Sequence, residues 1–162
     1  MATEQVRAED LDYSAILWRE DGIWNATSVP AQQAVVLDDL LALCKQYPGE
    51  GGVYAVVGVA DEFFILLHHD PRRTQAFISD GVALLDWDIA EDAADLIDLD
   101  WEEEDLEEFE AIGDSNILSN FGLKAEDLSM ICENPDLEPD QQIFEVWKRV
   151  GAELVWKKLR NK

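Results

Sequence analysis

The sequence predicts an α+β protein: a mainly antiparallel sheet of about five strands with one packed helix, then an acidic segment, then a small C-terminal helical subdomain. Three observations lead there. In the first half, short apolar runs rich in β-branched and aromatic residues are separated by tight turn signals. After Pro30, and again past residue 114, apolar residues recur at the three- and four-residue spacing of a helix face. Between these patterns, from residue 74 to 123, there is no Lys or Arg at all. That gap divides the chain into a body at 12–97, a connecting segment at 98–113 and a tail at 114–162.

The centre of the body is residues 53–67, where two apolar arms flank Asp61-Glu62. Near-continuous apolarity marks central strands covered on both faces, and the charged pair between them suits a two-residue turn. Residues 1–11 are polar and read as a frayed end. Residues 13–19 and 23–29 flank Asp21-Gly22, a strong hairpin signal. Leu37, Leu40, Leu41 and Cys44 then share one helix face, with Asp38 and Asp39 favouring the dipole at its start, which predicts a helix over about 35–46. Residues 47–52, rich in Gly and Pro, end it. Past the central hairpin, residues 75–79 read as a fifth, shorter strand. His68 and His69 precede it; neighbours on a strand point to opposite faces, so the pair reads as a solvated strand end rather than a metal site. Arg72 and Arg73 read as surface residues at a turn.

Beyond residue 80 the composition shifts. Leu85, Ile89, Ala93 and Leu96 keep a helical stripe, with Asp86 or Asp88 as its N-cap. Residues 86–110 hold 14 acids. Within them, Trp101, Leu106 and Phe109 alternate with Glu102, Glu103, Glu104 and Asp105, the composition of segments that dock on basic, partly apolar surfaces. A solvated linker is the competing reading. A Ca²⁺ site is disfavoured, because no Asp-x-Asp-x-Asp-Gly loop with a terminal Glu is present. In the tail, Asp114 or Ser115 caps a short helix carrying Ile117, Leu118 and Phe121, which Gly122 ends. Leu128, Ile131 and Cys132 mark a second helix. Pro139 opens a third, whose stripe Ile143, Val146, Trp147 and Val150 continues past Gly151 to Leu154, Val155 and Leu159. Six of the chain's 12 cations stand in the last 15 residues, placed to pair with the acidic segment.

The formal net charge is -24, from 12 Lys+Arg against 36 Asp+Glu. Such a chain repels nucleic acid and anionic membrane, since binding phosphate takes clustered cations, and it favours a basic protein partner. Cys44 and Cys132 lie apart among apolar residues and read as buried free thiols, which fits the cytoplasm. No secretory leader and no uncharged run near ~20 residues is seen, so a soluble, cytoplasmic protein is expected. No phosphate loop, nucleophile elbow or metal-protease motif occurs, and no cofactor is implied. In so acidic a chain paired carboxylates discriminate nothing, and no catalytic residue is named.

Several phrases nevertheless carry a resemblance. Glu-Phe-Phe-Ile-Leu at 62–66, Ala-Phe-Ile-Ser-Asp at 76–80, the acidic stretch, and Gly-Asp-Ser-Asn-Ile-Leu-Ser-Asn-Phe-Gly-Leu at 113–123 resemble the tRNA adenosine deaminase-associated proteins of actinobacteria. The similarity runs from Tyr13 to the last helix. The family is named for genes beside that of tRNA adenosine deaminase, which converts the wobble adenosine to inosine, so the resemblance implies the deaminase as a partner; it transfers no functional residue. The chain is not itself the deaminase: Cys44 and Cys132 are isolated and neither His68 nor His69 begins a His-x-Glu. The expectation is a non-enzymatic accessory protein that binds through residues 101–109. The alternative is a small-ligand protein or enzyme using a cleft between sheet and tail.

Overall fold

The computed structural model describes residues 3–47, 49, 51–107 and 110–160. Its frame is a six-stranded sheet of β1 (Leu11–Glu20), β2 (Ile23–Ser28), β3 (Val53–Val59), β4 (Phe63–Asp70), β5 (Arg73–Ile78) and β6 (Ile112–Gly113). The spatial order is β2-β1-β3-β4-β5-β6, every neighbouring pair antiparallel. The two-residue side-chain period explains why both faces need cover. Val53, Ala55, Val57, Val59, Phe63, Ile65 and Leu67 enter one core, while Tyr54, Val56, Phe64 and Leu66 enter the other.

The first core is closed by α1 (Leu37–Cys44), α2 (Ala83–Asp86) and α3 (Asp88–Leu96). The second is closed by α4 (Ala125–Glu133), α5 (Pro139–Arg149) and α6 (Glu153–Arg160). The tail is thus a full layer laid on the sheet. Each fully buried large apolar side chain contributes on the order of 1.5–3 kcal/mol, against ~0.2–1 for an exposed ion pair, so the two covered faces of β3 and β4 dominate stability.

The turns follow residue chemistry. Asp21 and Gly22 both adopt positive φ (53° and 77°), the I′ geometry that matches strand twist. The central turn falls one residue earlier than the Asp61-Glu62 pair suggested: Ala60 and Asp61 take positive φ, and the Glu62 N–H donates to the Val59 carbonyl at 2.9 Å. Its left-handed backbone is held from outside, because the Ala60 N–H donates to the Asp10 carbonyl (2.8 Å) and the Asp61 N–H to the Asp12 carboxylate (2.7 Å).

Residues 1–11 do not form a frayed end from residue 3 onward. Val6 is buried in the first core, and Glu4 bridges Trp87, accepting from the Asp88 N–H and donating to the Asp86 carbonyl, both at 2.8 Å. That bridge holds Trp87 extended, which splits the expected helix into α2 and α3 and makes Trp87, not an Asp, the residue before α3. Asp114 grips β5 instead of capping a helix: its carboxylate accepts from the Ala76 N–H at 3.1 Å. The helix expected to cross Gly151 breaks there (φ 89°), and the Trp24 indole N–H donates to the freed Val150 carbonyl at 3.0 Å.

His68 departs most from expectation. It is 4% exposed, stacks on Tyr54 with ring centres 4.4 Å apart, and lies 2.6 Å through Nε2 from the Gly51 carbonyl and 2.9 Å through Nδ1 from Gln75 Oε1. Its room comes from Gly52, where a Cβ would strike the ring and approach the His69 carbonyl to 2.7 Å. Next to it, the Tyr54 hydroxyl donates to the Ile117 carbonyl at 3.1 Å, joining sheet to tail. A strand-end reading fails because α4–α6 and residues 114–123 roof this face of β4.

Candidate acidic interface

α3 buries Ile89, Ala90, Ala93 and Ala94 against the sheet, which leaves Asp92 and Asp95 facing solvent. The chain then turns at Asp98 (φ 51°), with the Leu99 N–H donating to the Ala94 carbonyl at 3.0 Å. Trp101 and Leu106 are partly buried and pack against the first core. Between them, Glu102, Glu103, Glu104 and Asp105 stand exposed on a single 3-10 turn, where the Asp105 carboxylate accepts from the Glu102 N–H at 3.1 Å. Phe109 lies outside the described residues. The segment closes onto the body where the Gly81 N–H donates to the Glu110 carbonyl at 2.8 Å. The structure therefore brings the four acids together as one knuckle, with Trp101 and Leu106 beneath it seating the segment on its own domain.

The electrostatics are one-sided. Among the described residues no acid of 86–110 forms an ion pair; the paired carboxylates are Glu9, Asp10, Asp140, Glu145 and Glu153. Among the described residues the basic tail end does not reach across. Lys157 pairs with Glu153 at 3.1 Å, Arg149 with Glu145 at 3.3 Å and Arg160 with Asp140 at 3.3 Å, all on the tail's own helices. Partial burial, then neighbouring acids, raise the Glu91 and Asp92 carboxyls above their ordinary values. A carboxyl–carboxyl hydrogen bond to Glu107 raises Glu110.

One cavity lies on this face, and a second lies between sheet and tail, where the alternative reading of the sequence expects a cleft. One, of 340 Å³, runs between α1 and α3 and is lined by Val36, Leu37, Asp38, Asp92, Asp95 and Leu96, so it adds an acid from a distant helix to the same surface. The other, of 170 Å³, lies between the sheet and the tail, where Asp61, Glu62, Ser79 and Asp80 meet Cys132, Glu138 and Gln142. Ser79 is occupied in the fold, since its hydroxyl accepts from the Phe64 N–H at 2.8 Å, and the Gln142 amide donates to the Cys132 carbonyl at 3.1 Å. Cys132 and Cys44 are free and buried; burial pushes the Cys44 thiol up to about 12 and the Cys132 thiol higher still. Among the described residues, no three His, Cys, Asp or Glu side chains converge as a metal site, and no helix is long and apolar enough to cross a membrane.

Comparison with known proteins assigns the fold its kinship. The model of the Rv3753c-like tRNA adenosine deaminase-associated protein family matches residues 12–153. The chain belongs to this family. It is similar to Protein Rv3753c of Mycobacterium tuberculosis (strain ATCC 25618 / H37Rv), 30% identical over 135 residues that cover 82% of this chain and 78% of the relative. No solved structure matches. In this tRNA adenosine deaminase-associated protein the matched span takes in all six strands from Asp12 onward, the acidic knuckle and α4 and α5.

Proposed function

We propose that the chain is a non-enzymatic accessory protein that docks on a basic protein partner, the tRNA adenosine deaminase, through the acidic face built by α3 and residues 98–110. The observation that carries this is the uncompensated charge. The tail cations Arg149, Lys157 and Arg160 pair with carboxylates of the tail's own helices, and the acids of 86–110 have no cation partner among the described residues. Keeping so many like charges together opposes folding by self-repulsion, and a basic partner relieves it. The family name supports the identity of that partner. The face works in the cytoplasm, where the deaminase meets tRNA, and it repels the tRNA itself.

The cleft reading has the cavities between sheet and tail in its favour, one of 170 Å³ beside Ser79 and Gln142 and grooves of 480 and 300 Å³ where β2 and β1 meet α6. The smallest falls below the ~300–1,000 Å³ typical of small-molecule sites, and its polar groups at Ser79 and Gln142 already serve the fold.

The test is a calorimetric titration of the purified deaminase with the wild-type chain and with a variant carrying Glu102→Gln, Glu103→Gln, Glu104→Gln and Asp105→Asn. Wild type binds at low salt and weakens as salt rises; the variant loses about tenfold or more, because steering and contact charge are removed together while the exposed turn leaves the fold intact. Equal affinity of the two proteins, or binding indifferent to salt, refutes the docking face.

A further inference from the structure

The two edges of the sheet are treated differently. β6 is two residues long and is preceded by the acidic segment, so that edge is short and charged, the usual protection against stray pairing. β2 is six residues, Ile-Trp-Asn-Ala-Thr-Ser, with no proline, no bulge and no charge. Its register says which backbone groups are free. The Val29 N–H donates to the Ser14 carbonyl at 2.9 Å, and hydrogen-bonded pairs alternate along an antiparallel ladder. Ile23, Asn25 and Thr27 therefore turn their N–H and C=O toward β1, and Trp24, Ala26 and Ser28 turn theirs outward.

Beside this edge runs a groove of 480 Å³ lined by Asn25, Ala26, Thr27, Ser28, Val155, Lys158 and Leu159. Among the described residues no carboxylate lines it, in a chain that has 36 Asp and Glu. Of the exposed large apolar residues, Ile23, 66% exposed, starts the strand, and Leu154, 75% exposed, lies one helical turn before Lys158 on α6.

We propose that β2 pairs with β2 of a second copy of this chain, antiparallel about a two-fold axis through Ala26, joining two six-stranded sheets into one. Such an axis sets Trp24 opposite Ser28 of the second copy, Ala26 opposite Ala26, and Ser28 opposite Trp24. The outward row is self-complementary, as an isologous contact requires, and all of its N–H and C=O groups are satisfied. A strand of this length spans only ~20 Å and is short of the ~800 Å² per partner of a stable interface. The same axis keeps α6 and its mate on one side of the joined sheet, where Leu154, Val155 and Leu159 supply the remaining apolar area. Charge selects the occupant. Two copies each carrying -24 repel wherever their acidic faces approach, and this acid-free seam, with Lys158 in each half facing the other copy's negative field, is where they meet at least cost.

Sedimentation velocity on the full chain over a range of concentration tests the pairing, with Ala26→Pro as the diagnostic variant. Proline at 26 removes an outward N–H and leaves the ladder to β1 intact. The wild type forms a dimer that tightens as salt screens the mutual repulsion. Ala26→Pro weakens it roughly 30-fold or more, since two hydrogen bonds are lost per dimer, with circular dichroism unchanged. Should Ala26→Pro disturb the fold, Leu154→Glu at an exposed position takes its place, and at least tenfold weakening is expected. A wild-type monomer at every concentration and salt overturns the proposal. So does a dimer that survives whichever folded variant is used. Neither result bears on the acidic docking face, which lies on a different part of the molecule and is read against the deaminase.

Discussion

His68→Phe separates a buried polar clamp from a solvated strand end. Phenylalanine keeps the ring volume and the stack on Tyr54, so the transfer and packing contributions are nearly conserved. What disappears are the contacts to the Gly51 carbonyl at 2.6 Å and to Gln75 at 2.9 Å. Gln75 is 4% exposed, and leaving its Oε1 unsatisfied costs about 1–3 kcal/mol, whereas Gly51 is exposed and its carbonyl regains water. The Gln75 Nε2 keeps its bond to Asn116 at 3.4 Å, so the net loss is about 1–3 kcal/mol. For a domain of this size that is a fall in Tm of about 2–12 °C. Urea unfolding followed by far-UV circular dichroism reads the difference directly, at constant m if both proteins unfold in two states. A residue at a solvated strand end moves stability by no more than ~0.5 kcal/mol. A measured change that small refutes the clamp.

Acidification toward pH 5 and added salt each stabilise this protein. Asp12, Glu62, Glu91 and Asp92 are raised by burial, and Glu110 by its hydrogen bond to Glu107. A carboxyl with a raised folded-state pKa contributes stability fully present below its unfolded value near 4 and lost as pH rises through the folded one, so Tm at pH 5 exceeds Tm at pH 7. Thermal melts over that window, kept above the pI near 4.1, check the sign, and a Tm that falls toward pH 5 contradicts it. The two thiols are expected to be inert in the native state. Cys44 is 0% and Cys132 2% exposed, and burial keeps both protonated, so a thiol-specific chromogenic reagent should react only at the rate of unfolding. Immediate labelling of either cysteine contradicts the packing of α1 or α4.

What the sequence carried plainly was local. Asp21-Gly22 needs no partner to make a I′ turn, and the stripe Leu37, Leu40 and Cys44 needs only a face to bury. The uninterrupted apolarity of β3 and β4 announced two covered faces, and the structure provides them. What stayed hidden was long-range. Glu4 meets Trp87 across more than 80 residues, so nothing near either position foretells that residues 3–10 are structured or that the 83–96 helix is cut in two. His68 looked solvated because it stands at the end of an apolar run, just before the polar turn 70–73; its burial is decided by residues 114–123 and by a glycine at 52. Of the proposed docking residues, the exposure of Glu102, Glu103, Glu104 and Asp105 follows from their charge, whereas the seating of Trp101 and Leu106 depends on a core assembled from the other end of the body.

The two proposed contact surfaces answer salt with opposite signs, and that makes the molecule's assembly separable by one variable. An acidic face meeting a basic partner is held by attraction across the interface, so screening loosens it. An acid-free edge meeting its own copy is held by backbone pairing and apolar contact against the mutual repulsion of two -24 chains, so screening tightens it. If both proposals hold, low salt favours the deaminase complex and high salt favours the dimer. If β2 pairing leaves α3 and residues 98–110 exposed in each copy, the dimer presents two acidic faces, and its complex carries two deaminase molecules. Measuring stoichiometry at intermediate salt, with wild type and with Ala26→Pro, then distinguishes the cases: two deaminases per pair of chains joined in one particle for the wild type, and separate one-to-one complexes for the variant.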